Sequence, residues 1–153
     1  MIALIQRVDE ARVYIDKNLK DGIGKGLLVF LGIASGDEFR DADYLLEKIT
    51  NLRIFEDEQG KMNRSVADIS GELLVVSQFT LLADCRKGRR PSFGRAEQPE
   101  RAKKLYEYFL ENAKRSLRRV GSGEFQAMMK IHLVNDGPVT ISINSRDKTG
   151  EDS

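Results

Sequence analysis

A single histidine, a single cysteine, three prolines and no tryptophan are spread over the 153 residues of this chain. Each scarcity excludes something. One cysteine, Cys85, cannot form an intrachain disulfide, and its isolation fits a reducing compartment. Metal sites built from clustered histidine and cysteine are excluded by count. A Ser-His-Asp triad would depend wholly on His132, which reads as an ordinary strand histidine within "KIHLV". Cys85 lies beside "RKGRR", but a cysteine nucleophile has only that one histidine to work with. No apolar run approaches the ~20 residues of a membrane span. The segment "MIALIQRVDEARVYI" carries charge from Arg7 onward and does not read as a signal peptide. There is no Walker loop or dinucleotide fingerprint, since "GIGKG" lacks the spacing. We therefore expect a cytoplasmic protein with no cofactor, no metal and no membrane contact.

What is present suits one folded domain over residues 1–153. Hydrophobic residues make up 41% of the chain, ordinary for a globular protein with a real core. Residues 2–8 and 11–16 read as two strands and "KNLKDGIGKG" as a turn region. "GLLVFLGI" (26–33) is a continuous apolar run, the mark of a strand covered on both faces. The period then changes. Ala42, Leu45, Leu46, Ile49 and Leu52 follow helical spacing, with Ser35 or Asp37 as the expected cap. "RIFED" reads as a short strand, "EQGK" as a turn and residues 62–71 as irregular. "GELLVVSQFTLL" (71–82) reads as a central strand and residues 83–98 as an Arg- and Gly-rich loop. Pro99 can open a helix, and Leu105, Tyr106, Phe109, Ala113 and Leu117 form its apolar stripe. "EFQAMMKIHLV" and "PVTISIN" read as closing strands, and the polar tail "SRDKTGEDS" is expected to fray. Two helices among many strands, without strict alternation, predict a mixed α/β layered sandwich.

Charge is balanced overall at +1 but unevenly placed. Residues 37–58 hold eight acids against three bases, and residues 86–119 hold twelve bases against four acids. The second segment is either a solvated surface or a footprint for a nucleic acid backbone. At the end of the apolar run "ELLVV", the polar residues Ser77, Gln78 and Thr80 appear in "SQFTLLAD". They either satisfy nearby backbone or mark a site at a strand end.

"SQFTL" (77–81) and "NDGPVT" (135–140) together resemble the paired motifs of the D-aminoacyl-tRNA deacylase family, also called D-tyrosyl-tRNA deacylase. "IQRV" (5–8), "LRIFEDEQGKMN" (52–63) and "KGRRPSF" (87–93) fall in the same order, so the likeness spans nearly the whole chain. The resemblance implies a β-rich β/β/α sandwich that pairs its sheets in a barrel-like homodimer, with active sites at the interface. It implies hydrolysis of the ester in D-aminoacyl-tRNA, a chiral proofreading step of translation. It places a Gly-cis-Pro filter on Gly137 and Pro138, which crosses into the partner subunit's pocket. There the backbone would exclude an L-side chain, while glycine, having none, would leak through. Ser77, Gln78, Phe79 and Thr80 would form the opposite, catalytic wall, with backbone N–H groups holding the oxyanion. Thr80 is either the nucleophile or an orienter of water. Arg7 either pins the Gly-Pro segment or is a surface strand residue, Phe125 and Met129 either line the terminal adenine or belong to the core, and Lys87, Arg89 and Arg90 would meet tRNA phosphates. Two other readings stay open: a non-catalytic RNA-binding module, and a Ser/Thr hydrolase of small esters or peptides.

Overall fold

The computed structural model describes residues 1–147. The first strand, β1, runs unbroken over Ile2–Ile15. Its turn is two residues long: Ile15 pairs with Asn18, and Asp16 and Lys17 both take positive φ. That is the backbone of a tight hairpin whose twist matches its strands. β2 (Asn18–Ile23) returns beside Ala11–Ile15, so most of the expected turn region is a strand. β3 (Gly26–Gly32) pairs antiparallel with Ile2–Val8. β6 (Glu72–Ser77) and β7 (Val120–Ser122) extend the sheet in parallel. Between β3 and β6 lie α1 (Phe39–Asn51) and a small hairpin of β4 (Phe55–Glu56) with β5 (Met62–Arg64). Part of the segment expected to be irregular is thus ordered by pairing. α2 (Pro99–Ser116) joins β6 to β7, with its proline at the start as expected. β8 (Lys130–Asn144) pairs antiparallel with nearly all of β1.

The layers follow from side-chain alternation. On β3, Leu27, Val29 and Leu31 face one core and Leu28 faces another; on β6, Leu73 and Val75 split from Leu74 and Val76 in the same way. The first core lies under α1 and α2, around Leu45, Ile49, Leu105 and Phe109. The second packs Val8, Ala11 and Val13 of β1 over β3 and β6. β1 turns from the first core, at Ala3 and Ile5, to the second at Val8 by ordinary alternation, and Ala11 and Val13 stay on the second because β1 carries one extra residue between Val8 and Glu10 in its ladder with β8. That one bulge inverts which face the following residues present. One sheet thus folds over itself and carries two helices, a β/β/α sandwich.

The start of the chain is locked by charge. The Met1 ammonium lies 2.7 Å from an oxygen of Asp37, with both side chains fully buried. It also donates to Ser145 Oγ, which donates in turn to Asp41. Asp37 accepts from the Ala34 amide and from Arg146 as well. Asp37 therefore does not cap α1; the N–H of Glu38 donates to Asp41 at the helix start instead. Ser145–Asp147 form a short 3-10 turn with Ser145 buried, so the tail begins anchored, and its residues 148–153 lie outside the described part. Among the described residues no helix is long and apolar enough to cross a membrane.

Removing one member of a buried ion pair leaves the other unpaired. Asp37→Ala should lower unfolding free energy by about 3–5 kcal/mol, read as a lower midpoint in urea at constant slope.

Candidate active site

The ladder between β1 and β8 contains an interruption. Gln6 pairs with Thr140 and Val8 with Asn135, so Arg7 alone faces the four residues Asp136–Val139. The surplus chain must leave the ladder, and it carries Gly137-Pro138 outward, both residues exposed. The bond between them is cis. Gly137 has φ +127, and a Cβ there would sit 2.9 Å from Val139 Cγ2 and 3.1 Å from the Val139 nitrogen. Only glycine suits this position.

Arg7 fills the gap from below. Its guanidinium is 5% exposed and donates to the carbonyls of Ile54, at 2.7 Å, and Asp136, at 3.1 Å. The Asp136 carboxylate stands 3.3 Å from Arg7 Nε and balances its charge. Asn135 adds a second tie, with Oδ1 accepting from the Val139 amide. One planar fork therefore joins the base of the excursion to the entry of β4, a geometry suited to arginine. Asp136 and Asn135 were not singled out from sequence, although both stand inside "NDGPVT".

The second motif is built differently. β6 ends at Ser77, and Phe79–Leu82 form a 3-10 turn rather than further strand. Leu82 is buried against Gly32, where a Cβ would meet it at 2.7 Å, while Phe79 and Thr80 face solvent. A strand through Leu82 would have alternated these residues instead of turning Phe79 and Thr80 outward together. The Gln78 amide donates to the Leu31 carbonyl. It is spent in the sheet and cannot be the oxyanion donor expected of it; Phe79 and Thr80 hold the first amides of the turn. The Gln78 side-chain amide donates to Thr80 Oγ1.

Phe125 and Met129 gather at the same end of the sheet. Phe125 packs 6.1 Å from the ring of Tyr106, whose hydroxyl donates to the Val75 carbonyl. Burial pushes the Tyr106 hydroxyl well above the usual phenol range, so it stays a neutral donor. Met129 lies against Gly123, whose amide also reaches Val75. Lys87, Arg89 and Arg90 are exposed on the loop that follows the turn. His132 projects from the outer side of β8, its ring edge-on to Tyr14 at 5.1 Å, while its neighbours Ile131 and Leu133 face the second core. A cleft of ≈ 490 Å³ beside Asp21, Glu72 and Arg119 lies at the opposite end of β6 and is crossed by their ion pairs. Among the described residues no cluster of three metal-ligating side chains occurs.

The register separates the two motifs within one chain. Arg7 pairs with Leu27, whereas Ser77 pairs with Leu31, four residues further along β3. From β8 to β6 there are three strand spacings. This amounts to about 13 Å along the strands and about 14 Å across them. Arg7 and Gly137-Pro138 come together, while Phe125 and Met129 pack against the first and second core respectively beside the end of β6; the Gly-Pro segment and Ser77–Thr80 do not meet.

The family described as D-Tyr-tRNA(Tyr) deacylase matches residues 4–144. The chain belongs to this family. A D-aminoacyl-tRNA deacylase of Syntrophus aciditrophicus (strain SB) is 63% identical over 146 residues, covering 95% of this chain and 98% of that one. One of Clostridioides difficile (strain 630) is 56% identical, covering 95% and 97%. A solved structure called c-Myc DNA Unwinding Element Binding Protein matches with a TM-score of 0.90 and 41% identity, over 94% of this chain and 98% of that one. A probable eukaryotic D-amino acid tRNA deacylase matches at 0.79 and 16% identity, over 93% and 98%, which speaks for the fold alone. In this member of the D-Tyr-tRNA(Tyr) deacylase family, Arg7 is the residue on which the shape of the Gly-Pro segment rests.

Lysine cannot serve both carbonyls from one ammonium with the same fixed geometry. Arg7→Lys should destabilise the fold by about 1–3 kcal/mol. It should also speed amide exchange at Gly137 and Val139 more than elsewhere in β8, measured by hydrogen exchange.

Proposed function

We propose that the chain hydrolyses the ester of D-aminoacyl-tRNA, releasing free tRNA and the D-amino acid. The observation that carries this reading is the presence, in one chain, of an exposed backbone segment at Gly137-Pro138, where Gly137 has no side chain, and of a turn after β6 that exposes Phe79 and Thr80. Since one chain holds them apart, the reading requires two copies, each presenting its Gly-Pro segment to the other's turn. The protein would then act as a homodimer within cytoplasmic translation.

Selection falls to Gly137. A backbone wall at the substrate's α-carbon collides with an L-side chain and leaves a D-side chain pointing away from it. The wall fits no particular side chain, so the filter tolerates many D-amino acids and does not reject glycine. Exclusion, rather than recognition, supplies the specificity.

Chemistry falls to the turn. The Phe79 and Thr80 amides are the donors available to a developing oxyanion. Thr80 Oγ1 accepts a hydrogen bond from Gln78, which draws electron density from it and makes it a poor nucleophile. No histidine stands ready to take its proton. Water is therefore the attacking group, oriented by Thr80 and assisted by the substrate's own 2′-hydroxyl. Phe125 and Met129 supply apolar surface for the terminal adenine, and Lys87, Arg89 and Arg90 supply charge for the phosphates.

The test follows ester loss from matched D-aminoacyl-, L-aminoacyl- and glycyl-tRNA. The D-form should be cleared, glycyl-tRNA attacked to a lesser degree and the L-form preserved. Bound but intact D-aminoacyl-tRNA would return the protein to an RNA-binding module. Cleavage of simple esters regardless of tRNA would make it a generic hydrolase. Thr80→Ala should cost less than about 10²-fold in kcat, the lower bound for loss of an oxyanion donor. Trapping an acyl ester on Thr80 would overturn the water mechanism.

A further inference from the structure

The loop beyond the turn holds a feature that the reaction does not use. The Asp84 and Ser92 backbones exchange both N–H···O bonds, at 2.7 and 2.9 Å, which closes residues 85–91 into a hairpin tip. The base of the hairpin is fixed to the body. Arg95 donates to the Ala83 carbonyl, Ser35 donates to the Arg95 carbonyl and Glu97 donates to the Ile33 carbonyl. This frame sets the ring of Phe93 against that of Phe79, edge to face with centroids 5.1 Å apart. Both rings face solvent, Phe93 at 37% and Phe79 at 56% exposure.

The charges around the rings are sorted. Arg86 is engaged by both oxygens of Asp84, and that contact holds the Asp84 carboxyl well below the usual range. Lys87, Arg89 and Arg90 are exposed and ion-paired to no described residue. A ring pair elsewhere, exposed Phe39 with half-buried Tyr108, sits beside Asp43 on the acidic helix α1 and would repel an anion. The Phe79 and Phe93 pair joins open aromatic faces to a cluster of three exposed cations that are ion-paired to no described residue. Single-stranded nucleic acid is recognised by this combination, because every base has a face to stack and every linkage a charge.

We infer that Phe93, with Phe79, is a stacking step for the unpaired bases that precede the terminal adenosine of the substrate, whose phosphates meet Lys87, Arg89 and Arg90. The inference rests on the reading above and extends the site outward along the RNA strand. The step discriminates single-stranded from paired ends and is indifferent to base identity. Phe93 is a binding residue, with no part in the chemical step.

The test compares D-aminoacyl-tRNA with D-aminoacyl-adenosine, which lacks the preceding nucleotides. Phe93→Leu should raise KM for the tRNA about tenfold at unchanged kcat and leave hydrolysis of the adenosine ester unaltered. Phe93→Tyr should restore KM. The Leu effect should be equal at low and high salt, whereas neutralising Lys87, Arg89 and Arg90 together should flatten the salt slope. An unchanged KM for tRNA, or equal losses on both substrates, overturns the inference. Weaker self-association of Phe93→Leu in sedimentation also overturns it, because the rings would then cover a second copy. If the wild type cleaves neither substrate, the proposed function fails separately. Binding of a short unpaired oligonucleotide by wild type and Phe93→Leu then decides on the platform alone.

Discussion

The antiparallel ladder between β1 and β8 is the constraint on which the rest of this structure depends. It ties residues near the two ends of the described chain together over the whole length of β1. Because pairing is kept on both sides of Arg7, the surplus residues opposite it have nowhere to go but outward. The shift after Val8 also keeps Ala11 and Val13 of β1 on the second core. The exposed Gly-Pro segment and the hold of β1 on the second core therefore come from two adjacent mismatches in one ladder, a surplus in β8 opposite Arg7 and a surplus in β1 after Val8.

Arg7 makes that mismatch rigid. A four-residue excursion from a ladder would ordinarily be loose, since its backbone groups have lost their partners. Here a buried guanidinium takes the Asp136 carbonyl and the Ile54 carbonyl together, and Asn135 takes the Val139 amide. The turn after β6 is made rigid by packing instead. Leu82 tucks against Gly32 and draws the 3-10 turn down onto β3, leaving Phe79 and Thr80 on top. The filter proposed above needs a fixed wall, because a wall that yields excludes nothing.

Legibility from sequence followed the range of the forces involved. Both helices were visible in their periodicity, and Pro99 marked the start of α2. The buried strands β3 and β6 announced themselves as apolar runs, although β6 ended at Ser77, where the competition between strand and turn was settled by Leu82. β2 was hidden because Asp16-Lys17 lacks the Asn-Gly signature of a tight turn, and because a strand that is mostly exposed carries no apolar pattern. β7, three residues long, is too short for any period. Asp37 looked like a helix cap, and only the arrival of the Met1 ammonium shows why it is buried.

The sequence by itself determined the two motifs, the absence of a histidine-based hydrolytic apparatus, and the basic segment after the turn. These depend on residue types and their order. Tertiary structure decided which groups are free to act. It spent the Gln78 amide in the sheet, paired Arg86 with Asp84, and brought Phe93 to Phe79 across thirteen intervening residues. It also held the two motifs apart, four residues along and three strands across. The reason is that strand register is a long-range property. It is fixed by which faces must be buried, and no local stretch of chain contains that information.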